Sequence, residues 1–94
     1  MTQTHSLKTL PQYWDAVKRG DKTFEVRRDD RGFQKGDIVE LVRTEYLPDP
    51  RNPTFGSKEM STLRFQIGYI LTGGQWGIEP GYVVLALHPV TEAQ

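Results

Sequence analysis

Apolar residues recur along this chain at two spacings, and the change from one to the other separates a single helix from a series of strands. Leu10, Tyr13, Trp14 and Val17 stand at i, i+3, i+4 and i+7, the repeat of an amphipathic helix with its apolar stripe packed on a core. Thr9 followed three positions later by Gln12 reads as a capping box, and Pro11 is tolerated in a first turn. Lys18 and Arg19 suit the negative end of the helix dipole, and Gly20 accepts the left-handed conformation that closes a helix.

Elsewhere the period is two. A short strand is expected around His5 to Lys8, before the helix. From Phe24 to Arg28 one face holds Phe24, Val26 and Arg28 and the other Thr23, Glu25 and Arg27, the pattern of a half-buried strand. Lys35-Gly36-Asp37 makes a turn into a strand from Asp37 to about Glu45, whose two apolar faces (Val39 and Leu41; Ile38 and Val42) suit an interior position in a covered sheet. Residues 46–61, with three prolines and Gly56, read as a long surface loop. Leu63, Phe65, Ile67, Tyr69 and Leu71 then alternate as a strand, Gly73 to Gly77 forms a turn carrying Trp76, and Pro80-Gly81 forms another. Tyr82 to Leu87 is a continuous apolar run of the kind found in fully buried strands, and the tail from Pro89 reads as frayed. The expectation is an α+β domain: a small barrel of mixed or antiparallel strands with one main N-terminal helix.

The chain has 94 residues, enough for one core, so a single domain over residues 1–94 is expected, with its core at about 5–88. Charged residues at 26% and hydrophobic residues at 36% are ordinary for a globular protein. There is no cysteine, which removes disulfides and thiolate metal sites and is compatible with the cytoplasm. No leader pattern and no apolar run near the ~20 residues of a spanning helix is present, so no membrane partner is expected.

Zero net charge speaks against a strongly electrostatic partner such as duplex DNA, but the charge is unevenly spread. Residues 18–35 hold seven of the twelve Lys and Arg (Lys18, Arg19, Lys22, Arg27, Arg28, Arg31, Lys35) and only four of the twelve acids, a local excess of three. The layout suits one basic contact surface, or simply a solvated turn of mixed charge.

Within that region Glu25 and Arg27 lie two apart on one strand face, with Cβ atoms roughly 6.5–7 Å apart. Lys22 enters the same strand and can lean over Glu25. An Arg and a Lys held by a carboxylate form a preorganised site for a phosphate or a base edge; on a solvated surface the same residues are an ion pair worth little. Aromatic residues able to stack on a base are Tyr46, Phe55, Tyr69, Trp76 and Tyr82, with loop-borne Trp76 and Phe55 the better placed, and Tyr13 and Trp14 are assigned to the core. Thr23 beside Lys22 with Glu25 is the one arrangement resembling a nucleophile and its base. His5 and His88 are too few and too separated to suggest a metal, and no cofactor is implied.

With these residues in view, the chain resembles the ASCH family of the PUA-like superfamily, and within it a small branch of uncharacterised bacterial and phage proteins. The resemblance rests on His5-Ser6-Leu7-Lys8, on Gly20-Asp21-Lys22-Thr23-Phe24-Glu25-Val26-Arg27 as a G-x-K-x-x-E-x-R stretch, on Asp29 to Asp37 after it, and on Gly81-Tyr82. It spans about residues 5 to 88. It implies a small β-barrel with a cleft near the first helix that takes RNA, lined by Lys22, Glu25 and Arg27 and approached by Lys8. Some single-domain members are amidohydrolases of acylated cytidine that use a lysine, a threonine nucleophile and a glutamate. The position matching that threonine is Glu25 here, a departure that speaks against the same mechanism unless Thr23 substitutes.

The expected function is a noncatalytic module for RNA or a modified nucleotide, with Lys8, Lys22, Glu25, Arg27, Arg28 and Trp76 as ligand contacts. The alternatives are an amidohydrolase of an acylated nucleoside using Lys22, Thr23 and Glu25, and a phage or mobile-element accessory protein that binds another protein through the 46–61 loop.

Overall fold

The computed structural model describes residues 2–45 and 58–90. The N-terminal alternation folds as strand β1 (Thr4–Thr9), in which His5, Leu7 and Thr9 point inward. Helix α1 (Pro11–Lys18) follows after Leu10 alone, buries Trp14 and Val17, and hydrogen-bonds the Trp14 indole to the Leu41 carbonyl at 2.8 Å. The expected capping box does not form. Leu10 is the N-cap and no side chain caps the helix; the Thr9 hydroxyl is held instead by the Leu7 carbonyl. The C-terminus behaves as its sequence predicts: Gly20 takes a φ of 87°, and the N–H groups of Asp21 and Lys22 both return to the Ala16 carbonyl.

Strands β2 (Phe24–Arg28), β3 (Ile38–Glu45), β4 (Lys58–Thr72) and β5 (Tyr82–Pro89) complete one five-stranded sheet in the order β1-β3-β4-β5-β2. β1 runs parallel to β3 and every other pairing is antiparallel, so the sheet is mixed; it curls into a half-barrel closed on one side by α1. Its interior is filled by Leu7, Val39, Leu41, Ile67, Val83 and Leu85, against which Trp14 and Val17 pack. Near the end of β3, Arg43 forks onto Asp15 at 3.1 and 3.3 Å, which ties β3 to α1 and holds the Asp15 carboxyl below its usual range.

Three strand readings change. The segment read as a loop to residue 61 ends earlier, because β4 already starts at Lys58; residues 46–57 lie outside the described residues, as do 91–94. In β4 the pairing register with β5 shifts between Ile67 and Ile70, so Ile70 packs on the core while Tyr69, which uninterrupted alternation would send inward, is exposed. Tyr82 to Leu87 is not buried on both faces: Val83, Leu85 and Leu87 alternate with partly exposed neighbours, and the strand continues to Pro89.

The β4–β5 connection depends on Gly73. A Cβ at this position would fall inside the contact distance of the Glu79 carbonyl oxygen and 2.7 Å from that of Tyr82, both backbone atoms with no rotamer to yield. Gly73→Ala is therefore expected to destabilise the fold by about 2 kcal/mol, read as a lower denaturation midpoint with an unchanged m-value. An unchanged midpoint would show that the connection is free to rearrange.

Candidate functional site

The deciding feature lies in how β2 is oriented. In an antiparallel pair, residues directly opposite share a face, and Glu25 stands opposite Leu85 while Arg27 stands opposite Val83, both buried. Glu25 and Arg27 therefore face the inside of the half-barrel, whereas Phe24 and Val26 face outward and are 43% and 48% exposed. The strand alternates as its sequence predicts, but its polarity is the reverse of what a half-buried strand would show. A charged pair turned inward, with apolar residues turned to water, breaks the rule by which strands fold, and such breaks concentrate where a protein binds or reacts.

Glu25 is 3% exposed and is paired with two cationic side chains. Lys22 contacts Oε1, and Arg27 donates to Oε2 from Nε at 3.1 Å and from Nη2 at 3.0 Å. The Arg27 Nη2 group also reaches the Lys8 carbonyl at 3.0 Å and the Thr9 hydroxyl at 3.3 Å, so one guanidinium fastens β2 to the outer edge of β1. Lys22 is placed by the helix-closing turn at Gly20 and rests near the rings of Tyr13 and Phe24, 5.5 and 5.1 Å from their centroids. These groups line a hollow of about 510 Å³ together with Lys8, Thr9, Leu10, Tyr13, Val26 and Arg28. That volume lies within the range of about 300–1,000 Å³ typical of small-ligand pockets.

The cations of the hollow fall into two kinds. Lys22 and Arg27 are bound to Glu25 and carry one net positive charge between the three of them. Arg28 lies over the Tyr82 ring, 5.7 Å from its centroid, and neither it nor Lys8 has an ion-pair partner among the described residues.

Of the residues singled out from sequence, Lys8, Lys22, Glu25, Arg27 and Arg28 come together here. Thr23 does not join them: it is exposed, absent from the lining, and contributes its carbonyl to the Leu87 N–H. Trp76 sits at the tip of the β4–β5 connection, 84% exposed and outside the lining, with a φ of 53° that a bulky side chain rarely adopts. His5 is sequestered in the core against Asp37, and His88 is exposed on β5. No cluster of three or more metal-ligating side chains occurs among the described residues, and none of their helices is long and apolar enough to cross a membrane.

Thr9, Leu10, Tyr13 and Val26 are lining residues that the sequence pattern does not mark. Tyr13 stands roughly 70° around the helix from the middle of the Trp14–Val17 stripe, which was the available signal that it flanks the core instead of entering it.

A family model matches residues 4–87, and so takes in every residue of this hollow. The chain belongs to the family described as Domain of unknown function (DUF3850). A search of curated proteins returns no match to it. The family's description assigns no activity, so the reading of the hollow rests on its chemistry.

Proposed function

We propose that this DUF3850 domain is a noncatalytic binding module for RNA or a modified nucleotide, of the kind its resemblance to the ASCH family of the PUA-like superfamily implies. The observation that carries the reading is the Lys22–Glu25–Arg27 constellation turned into the half-barrel at a nucleotide-sized hollow. Glu25 fixes both cations before a ligand arrives, so little side-chain freedom is lost on binding. Arg27 offers a planar fork to phosphate or base oxygens, and Glu25 accepts from exocyclic amines. Lys8 and Arg28 add charge that no carboxylate pairs with among the described residues, and Tyr13 gives a partly exposed ring at the rim on which a base can stack. Thr23 stands outside the lining, so the geometry gives no support to the form of the amidohydrolase alternative that uses it as nucleophile.

The test is filter binding of single-stranded RNA across a salt series. Lys22→Ala and Arg27→Ala are each expected to weaken binding about tenfold and to reduce the slope of log affinity against log salt by about 0.7–1. Undetectable binding by the wild type, or binding unchanged in both variants, would overturn the proposal.

A further inference from the structure

A second hollow, of about 150 Å³, lies beside the first and is lined by Leu7, Arg27, Arg28, Asp30, Arg31 and Phe33. Both follow the seam between β1 and β2, edges that are not paired with each other by backbone hydrogen bonds. Two arginines span that seam: Arg27 donates to the Lys8 carbonyl, and Arg31 donates to the Ser6 carbonyl at 2.9 Å. The two hollows share Arg27 and Arg28, which makes them successive stations along one groove.

Their sizes and linings differ in a way that assigns their occupants. The larger admits a whole nucleotide, whereas the smaller is below the ~300 Å³ floor of small-molecule pockets and has three arginines against one acid. Its chemistry is that of a phosphate site, since guanidinium forks match phosphate oxygens. The one acid, Asp30, stands 3.8 Å from Arg31 with both side chains substantially exposed, a weak pair that a phosphate can displace.

We propose, resting on the binding reading above, that the ligand is a single RNA strand of at least two nucleotides that runs along the β1–β2 seam, with one nucleotide in the larger hollow and the neighbouring backbone phosphate in the smaller. Arg28 stands where the strand crosses from one to the other. A free mononucleotide would then use only part of the site.

Calorimetric titration with the four ribonucleoside 5′-monophosphates and with a random-sequence single-stranded RNA octamer separates the two ideas. The octamer is expected to bind at least tenfold more tightly than any monophosphate. Arg31→Ala, which touches only the smaller hollow, is expected to lower octamer affinity about fivefold and leave monophosphate affinity within twofold, and Asp30→Asn to raise octamer affinity two- to threefold. Equal affinity for octamer and monophosphate, or octamer binding indifferent to both substitutions, overturns the strand proposal and leaves the binding function standing. Absence of binding to either ligand overturns both.

Discussion

Arg27→Ala is expected to lower stability by about 2 kcal/mol, in addition to its effect on ligand. Its guanidinium makes four hydrogen bonds, two to Glu25 and one each to the Lys8 carbonyl and the Thr9 hydroxyl. Removing it leaves a carboxylate that is 3% exposed with Lys22 as its remaining cation, and leaves the β1–β2 seam with the Arg31 bond to the Ser6 carbonyl alone of its two arginine ties. A buried carboxylate that loses a partner costs several kcal/mol in a dry interior; the partial exposure of Arg27 and the surviving Lys22 contact scale this down. For a domain of this size the loss corresponds to roughly 8–16 °C in melting temperature. Arg27→Lys keeps the charge but not the fork, and is expected to recover less than half of the difference. A melting temperature for Arg27→Ala equal to the wild type would mean that the seam bears no load.

Asp37→Asn is expected to have a comparable effect, away from the hollow and with a distinctive pH dependence. Asp37 is 2% exposed; its Oδ1 accepts the Gln3 N–H, and its Oδ2 accepts the Gln34 N–H and the His5 Nε2 group at 2.9 Å. Burial acts to raise its pKa, but the hydrogen bonds from His5, Gln3 and Gln34 and the attraction of His5 together outweigh it and hold the carboxyl below 3.8. Because the folded value is depressed relative to the unfolded one, the ionised group stabilises the fold at pH above 3.8 and that contribution fades as the pH falls through the lower, folded value. The substitution is therefore expected to cost about 2 kcal/mol at neutral pH, since an amide has only one acceptor atom for three donors. Below pH 3.8 the wild type and variant should converge. Denaturation midpoints of the two proteins, followed from neutral pH downward, check this; a gap that stays constant into acid would show that the ionised carboxylate is not the source of the effect.

The sequence made element types legible and their polarity much less so. The helix, its closure at Gly20 and the interior placement of β3 follow from local patterns that nothing in the tertiary structure opposes. The capping box failed because Thr9 is drawn inward by strand alternation and held by Leu7, so its hydroxyl is not free to cap α1. Alternation in β4 misplaced Tyr69 because a register shift near Gly68 is a property of the pairing with β5, which a single strand does not reveal. At the candidate site, grouping Lys22, Glu25 and Arg27 was possible from spacing alone. That Glu25 would be buried, with Phe24 and Val26 in water, was not, because period two separates faces without saying which one meets the core.

That reversal of β2 also bears on how the chain folds. Sliding β2 by one residue along β5 would bring Phe24 and Val26 inside and send both charges to solvent, an arrangement that burial alone prefers. The native pairing is thus locally frustrated, kept in place by the left-handed turn at Gly20 and by the anchorage of Arg27 on β1. Selection for robustness and selection for the site pull this strand in opposite directions, and a sequence optimised for the fold alone would erase the inward-facing charges first.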